Sequence, residues 1–221
     1  VSSIAKNIEE IKKEIPAKVQ LIAVSKTKPT SAIEEAYECG QRIFGENKVQ
    51  ELCDKFEQLP KDIAWHMIGH LQSNKVKYMA GFVSLIHGVD SLSLLKEIDK
   101  QANKNQRIQD VLLQCFIATE ETKFGLSEEE LTDLLKSDDF KKLKSISVKG
   151  LMGMASFTSD ETQIRKEFKS LKSLFDKVKS EFFSEDPSFK EISMGMSGDY
   201  KIAIEEGSTM VRIGSSIFGS R

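Results

Sequence analysis

Val19-Gln20-Leu21-Ile22-Ala23-Val24-Ser25-Lys26-Thr27-Lys28-Pro29 reads as a buried strand that ends in a lysine, with a proline blocking its continuation. A lysine at the end of a buried strand sits where desolvation disfavours its charged form. A neutral amine is a nucleophile, and amine nucleophiles form Schiff bases with aldehydes. The plainer reading of Lys26 is a strand-end lysine reaching into water, as lysines generally do.

Outward from this strand, helix-like and strand-like segments alternate. Residues 31–39 read as a helix stopped at Gly40, 42–45 as a strand, and 48–59 as a helix that ends before Pro60. Strands over 63–68 and 83–89 flank a helix over 73–80, and a helix over 91–103 leads to a strand over 110–118. Ser127-Glu128-Glu129-Glu130 is a capping box opening a helix over 127–135. A strand over 148–154, a long amphipathic helix over 161–183, a strand over 191–196, a helix over 200–206 and a strand over 210–213 complete the series. An extra helix over 4–15 stands in front. Strands alternating with helices imply parallel pairing, because parallel neighbours need a crossover. Eight such units in 221 residues match a small single (β/α)8 barrel, with an open doubly wound sheet as the competing architecture. No linker or composition break divides the chain, so 1–221 is expected to be one domain; its longer connections fall at 119–125 and 137–145.

Composition narrows the class. The chain is 39% hydrophobic and 30% charged, ordinary for a globular protein. Its net charge of −2 argues against a general nucleic-acid binder. Cys39, Cys53 and Cys115 are odd in number and far apart, which fits a reducing compartment. No run approaches the roughly 18 apolar residues of a membrane span, and residues 1–14 have no signal-peptide core. A cytoplasmic monomer without membrane or nucleic-acid partners is expected. The chain does not begin with methionine, so a residue or more is expected to precede Val1.

In a barrel, chemistry collects at the C-terminal ends of the strands and the loops beyond them. Lys26, Gly45-Glu46-Asn47, His66 with Gly69-His70, His87 with Asp90, the Met194-Gly195-Met196-Ser197-Gly198-Asp199 run and Gly214-Ser215-Ser216 all fall at such places. The two small-residue loops after the seventh and eighth strands suit a phosphate, although Ser197 or Asp199 alone also fits a helix cap. Arg212, between Val211 and Ile213, is a buried cation needing an acceptor if it points inward, and an outward arginine paired with a helix carboxylate otherwise. His66 and His70 have HxxxH spacing but lack the glutamate of a zinc helix, so they read as a packed and a site-edge histidine, and no metal is expected. Glu46 and Glu51 have the spacing of a helix face. No GxSxG, Walker loop or GxGxxG occurs.

Taken in order, AVSKTKP, GENKVQE, WHMIGHLQSNKVK, GLMGM and the closing MGMSGDYKIAIEEGSTMVRIGSSIFGSR closely resemble the pyridoxal phosphate homeostasis proteins, over nearly the whole chain. The resemblance implies a barrel like the N-terminal domain of alanine racemase. It also implies pyridoxal 5′-phosphate held as a Schiff base on Lys26. It gives Ser197, Gly214 and Ser215 the phosphate, Arg212 the pyridine nitrogen and Asn47 a place near the ring. His66 and Met194 join these as candidate cofactor-binding residues. Lys48 departs from the tyrosine that many members carry after GEN, and His87-Gly88-Val89-Asp90-Ser91 departs from the common pattern after the fourth strand.

What the resemblance implies is storage, buffering or delivery of the cofactor, with pyridoxal-phosphate-dependent apo-enzymes as recipients, and no established turnover. With the chain read as ending at Arg221, just after the last strand, the second domain that racemases of this fold carry is not expected. The alternatives are a weak single-domain amino-acid racemase or transaminase on the same lysine, and a Schiff-base aldolase without the cofactor.

Overall fold

Each strand alternates an outward residue packed under a helix with an inward residue in the barrel, and that parity places the site. The computed structural model describes residues 3–119 and 124–219. A first helix α1 (Ser3–Glu14) precedes β1 (Gln20–Val24), followed by α2 (Thr30–Glu38), β2 (Ile43–Glu46), α3 (Val49–Gln58) and β3 (Ala64–Met67). A 3₁₀ turn at Ser73–Lys75 runs into α4 (Val76–Met79), then β4 (Leu85–Val89), α5 (Leu92–Lys104) and β5 (Gln109–Gln114). Next come α6 (Glu128–Lys136), α7 (Asp138–Lys141), β6 (Ile146–Met152) and α8 (Glu161–Phe182). The chain closes with β7 (Glu191–Met196), α9 (Tyr200–Glu205), β8 (Met210–Ile213) and α10 (Ser215–Phe218).

The eight strands form a closed barrel in sequence order, every neighbour parallel. Closure is made by β1 against β8, with Ala23 opposite Ile213. The open doubly wound sheet is thereby excluded. Two apolar layers result. Leu21, Ala23, Trp65, Met67, Met194, Val211 and Ile213 belong to the outer cluster between strands and helices, while Ile22, Leu85, Leu112, Met152 and Met210 make a separate small cluster inside. No helix among the described residues is long and apolar enough to cross a membrane.

Local signals account for most boundaries. Ser127 and Glu130 form the reciprocal capping box at the start of α6. Gly40, at φ +80°, ends α2 in the left-handed conformation that glycine adopts without a Cβ penalty. The strand expected to reach residue 118 stops at Gln114, because Phe116 N–H turns away to Leu126 O at 2.9 Å. Helices α7 and α10 were not expected. Of the long connection at 119–125, residues 120–123 lie outside the described residues.

Candidate functional site

A cavity of about 470 Å³ opens at the C-terminal end of the barrel, lined by Val24, Lys26, Asn47, Ile68, Ser197, Arg212, Gly214 and Ser215 among others. Six of the eight candidate residues thus meet in one place: Lys26, Asn47, Ser197, Arg212, Gly214 and Ser215. Lys26 is half-buried, and its amine makes no hydrogen bond or ion pair among the described residues. It occupies the second position of a tight turn closed by Lys28 N–H to Ser25 O at 3.0 Å. The third position, Thr27, has φ +65°. Lys28 Nζ reaches across to the carbonyls of Phe218 and Gly219, both at 3.1 Å, tying the first loop to the last.

Asn47 follows β2 directly. A Cβ on Gly69 would lie 2.5 Å from the Asn47 carbonyl oxygen, so the loop after β3 can press against this residue only with glycine there. Asn47 Oδ1 is buried and has no partner among the described residues. On the opposite side, Gly214 N–H donates to Ser197 Oγ at 3.2 Å, joining the loops after β7 and β8. Asp199 is the N-cap residue of α9, but its side chain makes no capping bond there and accepts from Met196 N–H at 2.6 Å. Ser197 Oγ thus joins two loops, which is more than the cap that was its plainer reading.

Arg212 points inward, as the parity of β8 demands: Val211 and Ile213 face the helices and Met210 faces the barrel. The outward reading of this arginine is excluded. Its guanidinium donates to Ser193 Oγ at 2.5 Å and to Gly153 O at 3.2 Å. Two of its five N–H donors are thereby used, and the residue lines the cavity. Burial pulls its pKa down to about 10, offset in part by the charge of Asp199, so it remains a cation near neutral pH.

His66 and Met194 do not reach the cavity. Met194 is the outward neighbour of Ser193 on β7 and is wholly buried in the outer apolar layer. His66 points inward but lies below the cavity, where Nδ1 meets His87 Nε2 at 2.9 Å; His87 Nδ1 in turn meets Ser193 Oγ at 2.8 Å. The four side chains make a buried polar line across the barrel, from His66 through His87 and Ser193 to Arg212. Burial holds the His66 pKa down to about 3, and burial with the neighbouring His66 and Arg212 holds that of His87 well below its usual value, so both rings are neutral. His70 lies elsewhere, stacked on Phe124 with ring centres 4.3 Å apart.

Three features escaped the sequence. The loop after β6 supplies Met154, Ala155, Ser156, Phe157 and Thr158 to the cavity wall. It is pinned by Ser156, whose N–H and hydroxyl both donate to Glu167 on α8 at 2.7 and 2.8 Å. Its sequence signals were its place after a strand and the Gly153-Met154 end of the GLMGM stretch. Phe157, 96% exposed, stands on the rim. The third feature concerns Glu46 and Glu51, which do not share a helix face: Glu46 ends β2, wholly buried, and Glu51 lies in the first turn of α3. Both accept from Lys55 Nζ at 2.7 Å. Burial pushes the Glu46 carboxyl up, against the lowering by its bonds to Lys55 and Ser25.

The family profile of the alanine racemase N-terminal domain matches residues 1–221. The pyridoxal phosphate homeostasis protein of Aquifex aeolicus is 42% identical over 203 residues, covering 91% of this chain and 87% of its own. The chain belongs to the pyridoxal phosphate homeostasis protein family. A second member, from Vibrio alginolyticus, is 38% identical over all of this chain and 99% of its own length. Among solved structures, PipY of Synechococcus elongatus with pyridoxal phosphate bound superposes with a TM-score of 0.87 at 33% identity, covering 98% of this chain and 100% of that one. The alanine racemase of Bartonella henselae shares the fold alone, with a TM-score of 0.72 at 17% identity over 99% of this chain and 58% of its own. The barrel expected from this homeostasis-family resemblance is the one observed.

Proposed function

We propose that this chain binds pyridoxal 5′-phosphate in the barrel-mouth cavity, through Lys26, and holds and hands on that cofactor without turning over a substrate. One observation carries the reading: a half-buried amine without a partner among the described residues shares a cavity with a buried guanidinium that has donors to spare. The names of the relatives and the cofactor bound in PipY support it.

The residues present fit the group. The bound cofactor supplies an aldehyde that condenses with the Lys26 amine with loss of water. Ser197, Gly214 and Ser215 offer a hydroxyl and backbone donors on small residues for the phosphate. Arg212 donates to the ring nitrogen, and a permanent donor there keeps that nitrogen unprotonated and the ring a weak electron sink. Asn47 Oδ1, buried without a donor among the described residues, gains one from a ligand. Met194 takes no direct part, and His66 acts only through the line behind Arg212.

The binding role fits the lining better than turnover does. The cavity wall contains no histidine, tyrosine or cysteine among the described residues, and its one carboxylate, Asp199, accepts from Met196 N–H, whereas racemisation needs an acid/base partner facing the lysine. Residues 1–221 serve as one unit, a monomer whose recipients are pyridoxal-phosphate-dependent apo-enzymes. Action in the cytoplasm agrees with the three unpaired thiols of Cys39, Cys53 and Cys115.

An absorption spectrum tests the reading. The protein mixed with pyridoxal phosphate should turn yellow, and borohydride should fix the label on Lys26. Lys26→Ala should lose the band and the label. A Lys26→Ala variant that keeps both sinks the assignment.

A further inference from the structure

The turn that presents Lys26 is an awkward one for its sequence. Ser25, Lys26, Thr27 and Lys28 form a turn with positive φ at its third position, the place where such turns favour glycine. Thr27 is β-branched, and a branched Cβ is a poor occupant of the left-handed region. Something outside the turn must hold it. The hydrogen bonds name what does. Thr27 N–H donates to Glu51 Oε1 at 2.6 Å. Ser25 Oγ donates to Glu46 Oε1 at 2.6 Å, and Lys55 Nζ donates to Ser25 O at 2.8 Å. Lys55 also bonds both carboxylates at 2.7 Å, so all three of its donors are spent inside this cluster. The residues on either side of Lys26 are therefore clamped by one ionic group, whose cation and central carboxylate are almost fully buried. Lys26 itself is not touched by it.

We propose that Glu51, Lys55 and Glu46 are positioning residues for Lys26: they force a glycine-like turn on a sequence without glycine and so fix the amine on the cavity wall. The inference rests on the reading of Lys26 as the site of imine formation. In that step Nζ, as the free amine, adds to the aldehyde carbon. The carbonyl oxygen leaves as water with both amine hydrogens, giving C=N with no change of oxidation state. A lysine whose backbone wanders forms that bond less readily, whereas the phosphate and ring contacts do not depend on it.

Two probes separate these contributions. Pyridoxal 5′-phosphate binds through the phosphate, ring and imine; 4′-deoxypyridoxine 5′-phosphate has no aldehyde and binds through the first two alone. The variant is Glu51→Ala, chosen because Glu51 is 24% exposed at the surface end of the cluster and its truncation leaves Glu46 and Lys55 paired. Its affinity for pyridoxal phosphate should fall about tenfold, with a slower rise of the imine band, while its affinity for the deoxy analogue stays within about twofold of wild type. Glu51→Gln, which keeps an acceptor for Thr27 N–H, should recover most of the loss. Melting curves run alongside register any general damage. Equal losses for both probes, no loss for either, or a glutamine variant no better than alanine would overturn the inference. An alanine variant that fails to fold while the glutamine variant binds both probes as wild type does would also overturn it, placing the cluster in folding alone. Wild-type protein that forms no imine overturns the underlying reading, and this inference with it; a normal wild-type imine beside an unaffected variant overturns this inference alone.

Discussion

His66 and His87 are the two buried histidines among the described residues, and their rings meet at 2.9 Å between His66 Nδ1 and His87 Nε2. Their neutrality has a cost at low pH. In the unfolded chain each ring gains a proton below about pH 6.5, whereas in the folded barrel His66 resists until about pH 3 and His87 lower than usual as well. Below pH 6.5 the unfolded state therefore binds more protons, and stability falls as pH falls, by up to about 1.4 kcal/mol per pH unit for each ring. Urea titrations at pH 7.5, 6.0 and 5.0 should show that decline. His66→Gln should flatten it by roughly one ring's share, since glutamine offers a neutral partner to His87 without titrating. A variant with the full wild-type slope would show that the acid sensitivity originates elsewhere. The same line of residues explains a reading that sequence could not supply. HxxxH spacing brings two imidazoles near each other on a helix, but on a strand and the loop after it His66 faces the barrel interior while His70 stacks outside on Phe124.

At the scale of elements, the site is made where loops of different strands touch, and those contacts decided what was legible. Strand and helix existence followed from periodicity and from Gly, Pro and cap signals, so the eight alternating units came through with ends shifted by a residue or a few. Period-two parity was available too. It would have turned Met194 outward had Ser193 been recognised as inward, but nothing in a sequence of small and apolar residues on β7 marks which face is which. Beyond Met154, which closes the GLMGM stretch, the loop after β6 carried no motif, because its hold on the cavity comes from Glu167, a residue of α8. Glu46 and Glu51 misread for a related reason: their common partner Lys55 lies four residues beyond one and nine beyond the other, and only the join between β2 and α3 brings them together. Contact between loops also makes a prediction at Gly69. Its missing side chain lets the loop after β3 lie against Asn47, where a Cβ would meet carbonyl oxygen at 2.5 Å and Cα at 2.8 Å. These are backbone atoms, so the clash cannot be relieved by a rotamer change. Gly69→Ala should cost about 1–3 kcal/mol of stability, as overpacking does, and should weaken pyridoxal phosphate binding by displacing Asn47. Denaturant titration and a spectroscopic binding curve read the two effects separately. Binding unchanged in a destabilised variant would remove Asn47 from the site.

For the whole molecule, the cavity sits where the barrel is completed. β1 pairs with β8, and the loops that follow these two strands carry Lys26 on one side and Gly214 and Ser215 on the other. Lys28 crosses the same seam to the carbonyls after α10, and Ser197 ties the neighbouring loop to Gly214. A ligand that bonds to both sides of a seam binds the closed barrel and has little to hold in the unfolded chain, so its binding energy adds to folding by mass action. At a concentration 100 times its dissociation constant, pyridoxal phosphate should add about 2.7 kcal/mol. For a chain of 221 residues that amounts to a rise in melting temperature of about 5–10 °C. The deoxy analogue at the same multiple of its own dissociation constant should raise it equally, since the linkage depends on occupancy and not on the kind of bond. Lys26→Ala should need a higher concentration of pyridoxal phosphate for the same rise, while its response to the analogue matches that of wild type. Differential scanning calorimetry over a ligand series measures this. A wild-type melting temperature that does not move with pyridoxal phosphate would mean that the cofactor does not bridge the seam, and that the residues gathered there by the closure of the barrel hold something else.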